Sequence, residues 1–124
     1  MITVIIPALN EETTVAKVVR LAKNSPHVTE VIMVDDKSMD NTIEEARNEG
    51  ATVITSTKLG KGTSMKDGVL VAKNEVVAFL DADITTYPDN VIKLLTAPIL
   101  NNEADFVKSY FSRQAGRVTE LVAK

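Results

Sequence analysis

The sequence contains no cysteine and a single histidine, His27. Disulfides and thiolate zinc sites are therefore excluded, and no histidine metal site can be assembled. Any bound metal must be held by carboxylates, phosphates and water, the donor set of magnesium or manganese. There is no excess of basic residues: 14 Lys and Arg face 17 Asp and Glu, a formal net charge of −3. That balance gives no basic footprint and disfavours nucleic acid as a partner. No apolar run approaches the ~20 residues of a membrane span. Nor does the N-terminus read as a signal peptide, because Met1 leads straight into the short run Ile2–Ile6 with no basic flank. A cytoplasmic location is the expectation. Repeats, low-complexity tracts and linkers are also missing from the sequence.

What is present suits one globular domain. Of the 124 residues, 44% are apolar, enough to bury a core. Ile2–Ile6 is a continuous β-branched run, the pattern of a strand buried on both faces, and Pro7 ends it. Asn10 is placed to cap a helix from about Glu11 to Asn24, with Val15, Val18, Val19 and Ala22 on one face. Val31–Val34 reads as a second strand. Asp40 can cap the next helix, which runs to Asn48 or Glu49 with Gly50 as its stop. Thr52–Thr55 is a third strand. Gly60-Lys61-Gly62 opens a helix through about Ala72, with Met65, Val69 and Ala72 on one face. Val76–Leu80 is a fourth strand. Pro88 starts a helix with Val91, Leu94, Leu95 and Ile99 inward, which Pro98 should kink or end. Asp105–Phe111 reads as a fifth strand. Arg117–Lys124 begins a helical pattern and stops without a cap, as in a chain cut short or a natural fragment. The alternation predicts an α/β domain with a mainly parallel sheet.

Four polar clusters follow strand ends: Asn10-Glu11-Glu12, Asp35-Asp36, Gly60-Lys61-Gly62 and Asp81-Ala82-Asp83. In a parallel sheet these ends share one edge, where open α/β sheets bind ligands. Asp81-Ala82-Asp83, a D-x-D motif, is the sharpest. Two carboxylates at the end of a buried strand repel each other unless a cation or hydrogen-bond donors offset them. A divalent ion on a diphosphate meets that need; plain capping of the next turn is the bland alternative. One carboxylate of Asp35-Asp36 can accept a base N–H or a ribose hydroxyl, or simply satisfy loop amides. Gly60-Lys61-Gly62 permits close backbone approach with a cation beside a helix N-terminus, or else forms a flexible turn. It is not a P-loop, which needs Gly at position 55 and Ser or Thr at position 62; Thr55 and Gly62 stand there. No G-x-G-x-x-G follows the first strand, which disfavours a dinucleotide-binding domain. Gly116-Arg117-Val118-Thr119, at a presumed helix start, is a weaker anion-site candidate beside the reading of a surface arginine.

As a set, Val4 to Glu12, Val34 to Thr42 and Leu80 to Asp83 resemble the three signatures of GT-A glycosyltransferases. Pro7-Ala8-Leu9-Asn10-Glu11 with Gly60-Lys61-Gly62, and Asp105-Phe106-Val107-Lys108 followed by Gly116 to Leu121, are similar to the glucosyl-3-phosphoglycerate synthase family. The resemblance implies a Rossmann-like GT-A fold, with residues 1–124 as the N-terminal, nucleotide-sugar-binding part. It implies transfer of glucose from UDP-glucose (GDP-mannose in relatives) to 3-phosphoglycerate, with retention and with Mg²⁺ or Mn²⁺. Pro7, Ala8, Leu9, Asn10, Glu11 and Asp36 then hold the nucleoside, and Lys61 assists. Asp81 and Ala82 touch ribose and diphosphate, and Asp83 binds the metal. Gly116, Arg117, Val118 and Thr119 hold the acceptor. The family adds a C-terminal part with a histidine metal ligand, which His27 lies in the wrong region to replace. No catalytic nucleophile is evident, and a homodimer is compatible with the resemblance. A polyprenyl-phosphate sugar transferase of the same fold and a non-catalytic nucleotide-binding fragment are the alternatives.

Overall fold

Four parallel strands form the centre of the molecule: β1 (Ile2–Ala8), β2 (Val28–Asp35), β3 (Thr52–Thr55) and β4 (Val76–Phe79). The computed structural model describes the backbone of residues 1–113 and 116–123 and the side chains of residues 1–107. An antiparallel pair, β5 (Phe106–Arg113) and β6 (Gly116–Ala123), extends the sheet to the order β3-β2-β1-β4-β6-β5. The helices are α1 (Val15–Lys23), α2 (Thr42–Asn48), α3 (Lys61–Val71) and α4 (Val91–Leu100). The expected α/β architecture with a mainly parallel sheet is therefore what forms.

Period-two alternation sends each central strand into two cores. Val4, Ile6, Met33, Ala78 and Leu80 pack on one face with Val15, Val18, Val19 and Ala22 of α1, Ala46 of α2, and Val91, Ile92, Leu95 and Ile99 of α4. Ile5, Ile32, Val34, Val77 and Phe79 pack on the other, against Met65 and Ala72 at the α3 end. Coverage on both faces is why β1 reads as an unbroken apolar run. α3 can lie this close because Gly68 has no side chain. A Cβ there would stand 2.6 Å from Cγ2 of Ile5 and 3.2 Å from Cγ2 of Val34.

The structure corrects several expectations. Arg117–Lys124 does not begin a helix: Gly116–Ala123 is strand β6, paired with β5 and with the outer edge of β4 through Val77↔Ala123 and Ala78↔Val122. Val118, Thr119 and Val122 are β-branched, and β4 has an edge whose backbone groups need partners. Position 124 lies outside the described residues. Asn10 does not cap α1, which starts at Val15; its side chain accepts the Met39 N–H at 2.8 Å instead. Val69 is about half exposed, and Ser64 and Gly68 form the buried side of α3. Leu94 is 58% exposed while Ile92 turns inward. Pro98 does not end α4, which runs on to Leu100; in the last turn the proline forfeits one bond, to the Leu94 carbonyl.

Candidate functional site

The C-terminal ends of the parallel strands meet on one edge. Ala8 pairs with Asp35, and Asp35 with Thr55. The ladder continues past the strands, with the Asp36 N–H donating to the Ala8 carbonyl at 2.9 Å, Ser56 N–H to Asp35 at 2.8 Å and Leu80 N–H to Ile5 at 3.1 Å. The loops leaving that edge enclose a cleft of about 530 Å³. Pro7, Ala8, Leu9, Glu11, Asp36, Lys61, Asp81, Ala82 and Asp83 all line it, so the residues assigned to the nucleotide sugar and the metal are brought together apart from Asn10. Gly60 and Ser64 complete the lining.

The loops after β1 and β2 are tied to each other. Ser38 Oγ accepts the Asn10 N–H at 2.9 Å, Thr42 Oγ1 accepts Glu11 N–H at 2.9 Å, and Glu12 Oε2 accepts Asn41 N–H at 3.1 Å. Asn10 closes the set through Met39, at a φ of 54° that asparagine tolerates better than most residues. Asp40 does not cap α2, whose N-cap is Asn41; one residue earlier, it accepts the Thr42 N–H at 3.0 Å and also the Thr42 hydroxyl. These bonds, the hydroxyl's first, hold its carboxyl below the ordinary carboxylate value. The part of this motif between Ser38 and Thr42 is thus a brace for the Glu11 loop.

Strand alternation separates the adjacent carboxylates. Asp35 ends β2 on the α1 side, 1% exposed, and its Oδ2 accepts the Ser38 N–H at 3.0 Å. Asp36 turns to the α3 side and into the cleft, where its Oδ2 accepts the Gly60 N–H at 3.0 Å. Gly60 has φ 115°, a backbone conformation that favours glycine. Among the described residues three buried side-chain oxygens have no hydrogen-bonding partner: Asp35 Oδ1, Asp36 Oδ1 and Ser64 Oγ. The last two belong to residues that line the cleft.

Charge collects on the other side. Lys61, in the first turn of α3, pairs with Oδ1 of Asp81, and the Asp81 N–H donates to the Tyr87 hydroxyl at 2.9 Å. The Glu11 carboxyl is pushed above its ordinary value of 4.5, first by burial and then by the charge of Asp83, with Asp40 adding and a Thr14 hydrogen bond opposing. Glu11, Asp81 and Asp83 thus give one concave surface a surplus of carboxylate oxygen. Among the described residues no three His, Cys, Asp or Glu side chains gather closely enough to cage a metal. Such a surface suits a hard divalent ion that takes one or two protein carboxylates and completes its shell with phosphate and water.

Ser64 and Tyr87 were not singled out from the sequence. Ser64 had one available signal, its place four residues after Gly60 and four before Gly68 on a helix whose inner face carries small residues. Gly116, Arg117, Val118 and Thr119 lie on β6, opposite Arg113, Ser112, Phe111 and Tyr110. The helix start proposed for them does not form, and with it goes the dipole argument for an anion there. Their side chains lie outside the described residues.

The glycosyl transferase family 2 model matches residues 3–119, almost the whole chain. The glucosyl-3-phosphoglycerate synthase of Petrotoga mobilis is 28% identical over 99% of this chain and 46% of its own length. A crystal structure of the Mycobacterium tuberculosis glucosyl-3-phosphoglycerate synthase with Mn²⁺, UDP-glucose and phosphoglyceric acid superimposes with a TM-score of 0.82 at 31% identity, over 94% of this chain and 45% of that one. A structure of the same enzyme with Mg²⁺ and UDP gives a TM-score of 0.74 at 28% identity, over 81% and 39%. The chain spans about half the length of the curated relatives it matches. The fold is the Rossmann-like GT-A fold, and the chain belongs to glycosyl transferase family 2.

Proposed function

We propose that this family 2 chain forms the donor-binding half of a glycosyltransferase that moves glucose from UDP-glucose to 3-phosphoglycerate, metal-dependent and with retention at the anomeric carbon. The observation that carries this is the gathering of Glu11, Asp36, Lys61, Asp81 and Asp83 around one cleft at the strand ends. The ligands in the Mycobacterium tuberculosis structures support the choice of UDP-glucose, phosphoglycerate and Mn²⁺ or Mg²⁺.

Each side chain then has a task. Pro7, Ala8 and Leu9 form the floor along β1, against which the nucleoside lies. Asp36 is oriented by Gly60, and its free Oδ1 accepts a base N–H or a ribose hydroxyl. Lys61 gives its positive charge to the diphosphate, aided by the dipole at the start of α3. Asp83 would hold the divalent ion, while Asp81 and Ala82 touch the ribose and diphosphate. When bound, that ion offsets the negative charge that builds on the departing nucleoside diphosphate. Arg117, with Gly116, Val118 and Thr119, pairs with the anionic acceptor. No residue of this chain is assigned as a nucleophile.

The test is a calorimetric titration of the chain with UDP and Mn²⁺, followed by a transfer assay with UDP-glucose and 3-phosphoglycerate. We expect metal-dependent UDP binding and no sugar transfer, because no three His, Cys, Asp or Glu side chains gather to complete a metal site among the described residues. Turnover at ~1 s⁻¹ or more, an ordinary enzyme rate, would overturn the half-site reading. Absence of metal-dependent UDP binding would overturn the function itself.

A further inference from the structure

We propose that Ser64 reads the nucleobase. Its hydroxyl donates to a carbonyl oxygen on the base edge whose ring N–H is accepted by Asp36. This rests on the nucleotide-binding reading above and extends it to a residue and a base preference.

Ser64 is 1% exposed, and its Oγ has no partner among the described residues. Buried hydroxyls are nearly always hydrogen-bonded, so an orphan on the wall of a cleft calls for a ligand atom. The helix does not need this hydroxyl. The Ser64 N–H already donates to the Gly60 carbonyl at 3.1 Å, and α3 has no side-chain cap for it to supply. Alanine has the higher helix propensity and buries no polar atom.

The neighbour on the same wall is Asp36, whose Oδ1 is likewise buried and unpartnered. Gly60 links the two, its N–H held by Asp36 Oδ2 and its carbonyl by the Ser64 N–H. One residue, Gly60, therefore ties the Asp36 carboxylate to the backbone that carries the Ser64 hydroxyl. The strand order β3-β2-β1-β4 sets them apart from the charged cluster. Asp36 and Gly60 follow β2 and β3, while Asp81 and Asp83 follow β4. The diphosphate and its ion belong to the β4 side, which leaves the buried, hydrogen-bonding side for the base.

A carboxylate beside a hydroxyl complements an N–H flanked by C=O, as on the uracil edge. Cytosine offers a ring nitrogen lone pair where uracil offers N3–H, and that lone pair faces the carboxylate unfavourably. The arrangement therefore predicts UDP over CDP, with Ser64 contributing to the difference.

The experiment compares the unchanged chain with Ser64→Ala in calorimetric titrations with UDP, CDP and pyrophosphate, each with Mn²⁺, alongside thermal melts. Ser64→Ala should lower UDP affinity about three- to tenfold, the worth of one neutral hydrogen bond. It should leave pyrophosphate affinity unchanged and shrink the UDP-to-CDP ratio. Its melting temperature should equal or exceed that of the unchanged chain, because an unpaired buried hydroxyl has been removed. Unchanged UDP affinity in a chain that binds UDP overturns the role of Ser64 and leaves the proposed function standing. Equal loss for UDP and CDP moves the contact to the ribose and overturns base reading. Parallel loss for pyrophosphate, or a lower melting temperature, makes the hydroxyl structural and overturns it as well. Failure of the unchanged chain to bind UDP overturns both readings.

Discussion

Lys61 and Asp81 are joined across the mouth of the strand-end cleft, the ammonium against Oδ1 of the carboxylate. The lysine side chain is 56% exposed and that of the aspartate 19%, so solvent screens the pair and its share of stability is small. Its value is positional, since it parks a cation between the start of α3 and the D-x-D segment. Lys61→Ala should leave the melting temperature nearly unchanged. Loss of a charge-assisted bond, about 1.5–3 kcal/mol, should weaken UDP by one to two orders of magnitude while uridine binding holds. Calorimetry with both ligands checks this, and equal loss for both would remove Lys61 from the diphosphate.

Asp83 is exposed and close enough to Glu11 for its charge to act on that carboxyl. Asp83→Ala should abolish the Mn²⁺ or Mg²⁺ dependence of UDP binding with the fold intact. Titrations with and without metal, together with circular dichroism, decide it. Metal-dependent affinity that survives the substitution places the ion elsewhere.

The Glu11 carboxyl also makes a pH signature. Its folded-state value lies above 4.5, so at a pH between the two values the native chain holds more of that proton than the unfolded chain does. Stability from this group is then greatest below the unfolded value and declines as pH rises through the folded value. Glu11→Gln should flatten that segment of the stability-versus-pH curve and raise the neutral-pH melting temperature. A divalent ion should act in the same sense as it neutralises the pair, with proton release on binding. Melts across pH 4 to 7 test the first claim, and calorimetry in buffers of different ionisation enthalpy tests the second. An unaltered curve in Glu11→Gln would show that neither burial nor Asp83 raises this carboxyl in the folded chain.

Gly68 permits the contact between α3 and the sheet, and Ser64 sits one helical turn before it. Gly68→Ala would place a methyl 2.6 Å from Ile5 Cγ2. Overpacking of this kind costs about 1–3 kcal/mol. The helix must shift to relieve it, carrying Lys61 and Ser64, so UDP affinity should fall along with denaturation midpoint. A variant with full affinity would show that the cleft tolerates movement of α3.

Much of this architecture could be read from the residues. The apolar run Ile2–Ile6, the strand Thr52–Thr55 and the convergence of polar clusters at the strand ends follow from the residues, but Pro7 does not end β1, which continues through it to Ala8. What escaped depends on partners distant in sequence. Arg117–Lys124 satisfies a helical spacing as well as an alternating one, and only the open edge of β4 decides between them. Asn10 looks like a cap because a capping asparagine and a loop-bracing asparagine are the same residue before a helix; the Met39 amide that claims it lies 29 positions on. Ser64 carries only its four-residue spacing from Gly60 and Gly68 as a mark in sequence, and a serine near a helix start is ordinary until its burial is known.

The order of strands carries one further consequence, for assembly in time. β6 is made after β5 yet lies between β5 and β4. While a growing chain has reached only Arg113, β5 has no neighbour in the sheet and β4 has an unpaired outer edge. Insertion of residues 116–123 completes both at once, so the sheet closes from within. A nascent or clipped chain lacking that segment would present β4 as a template for other strands. Such a chain should be prone to aggregation although its nucleotide-facing loops are already complete.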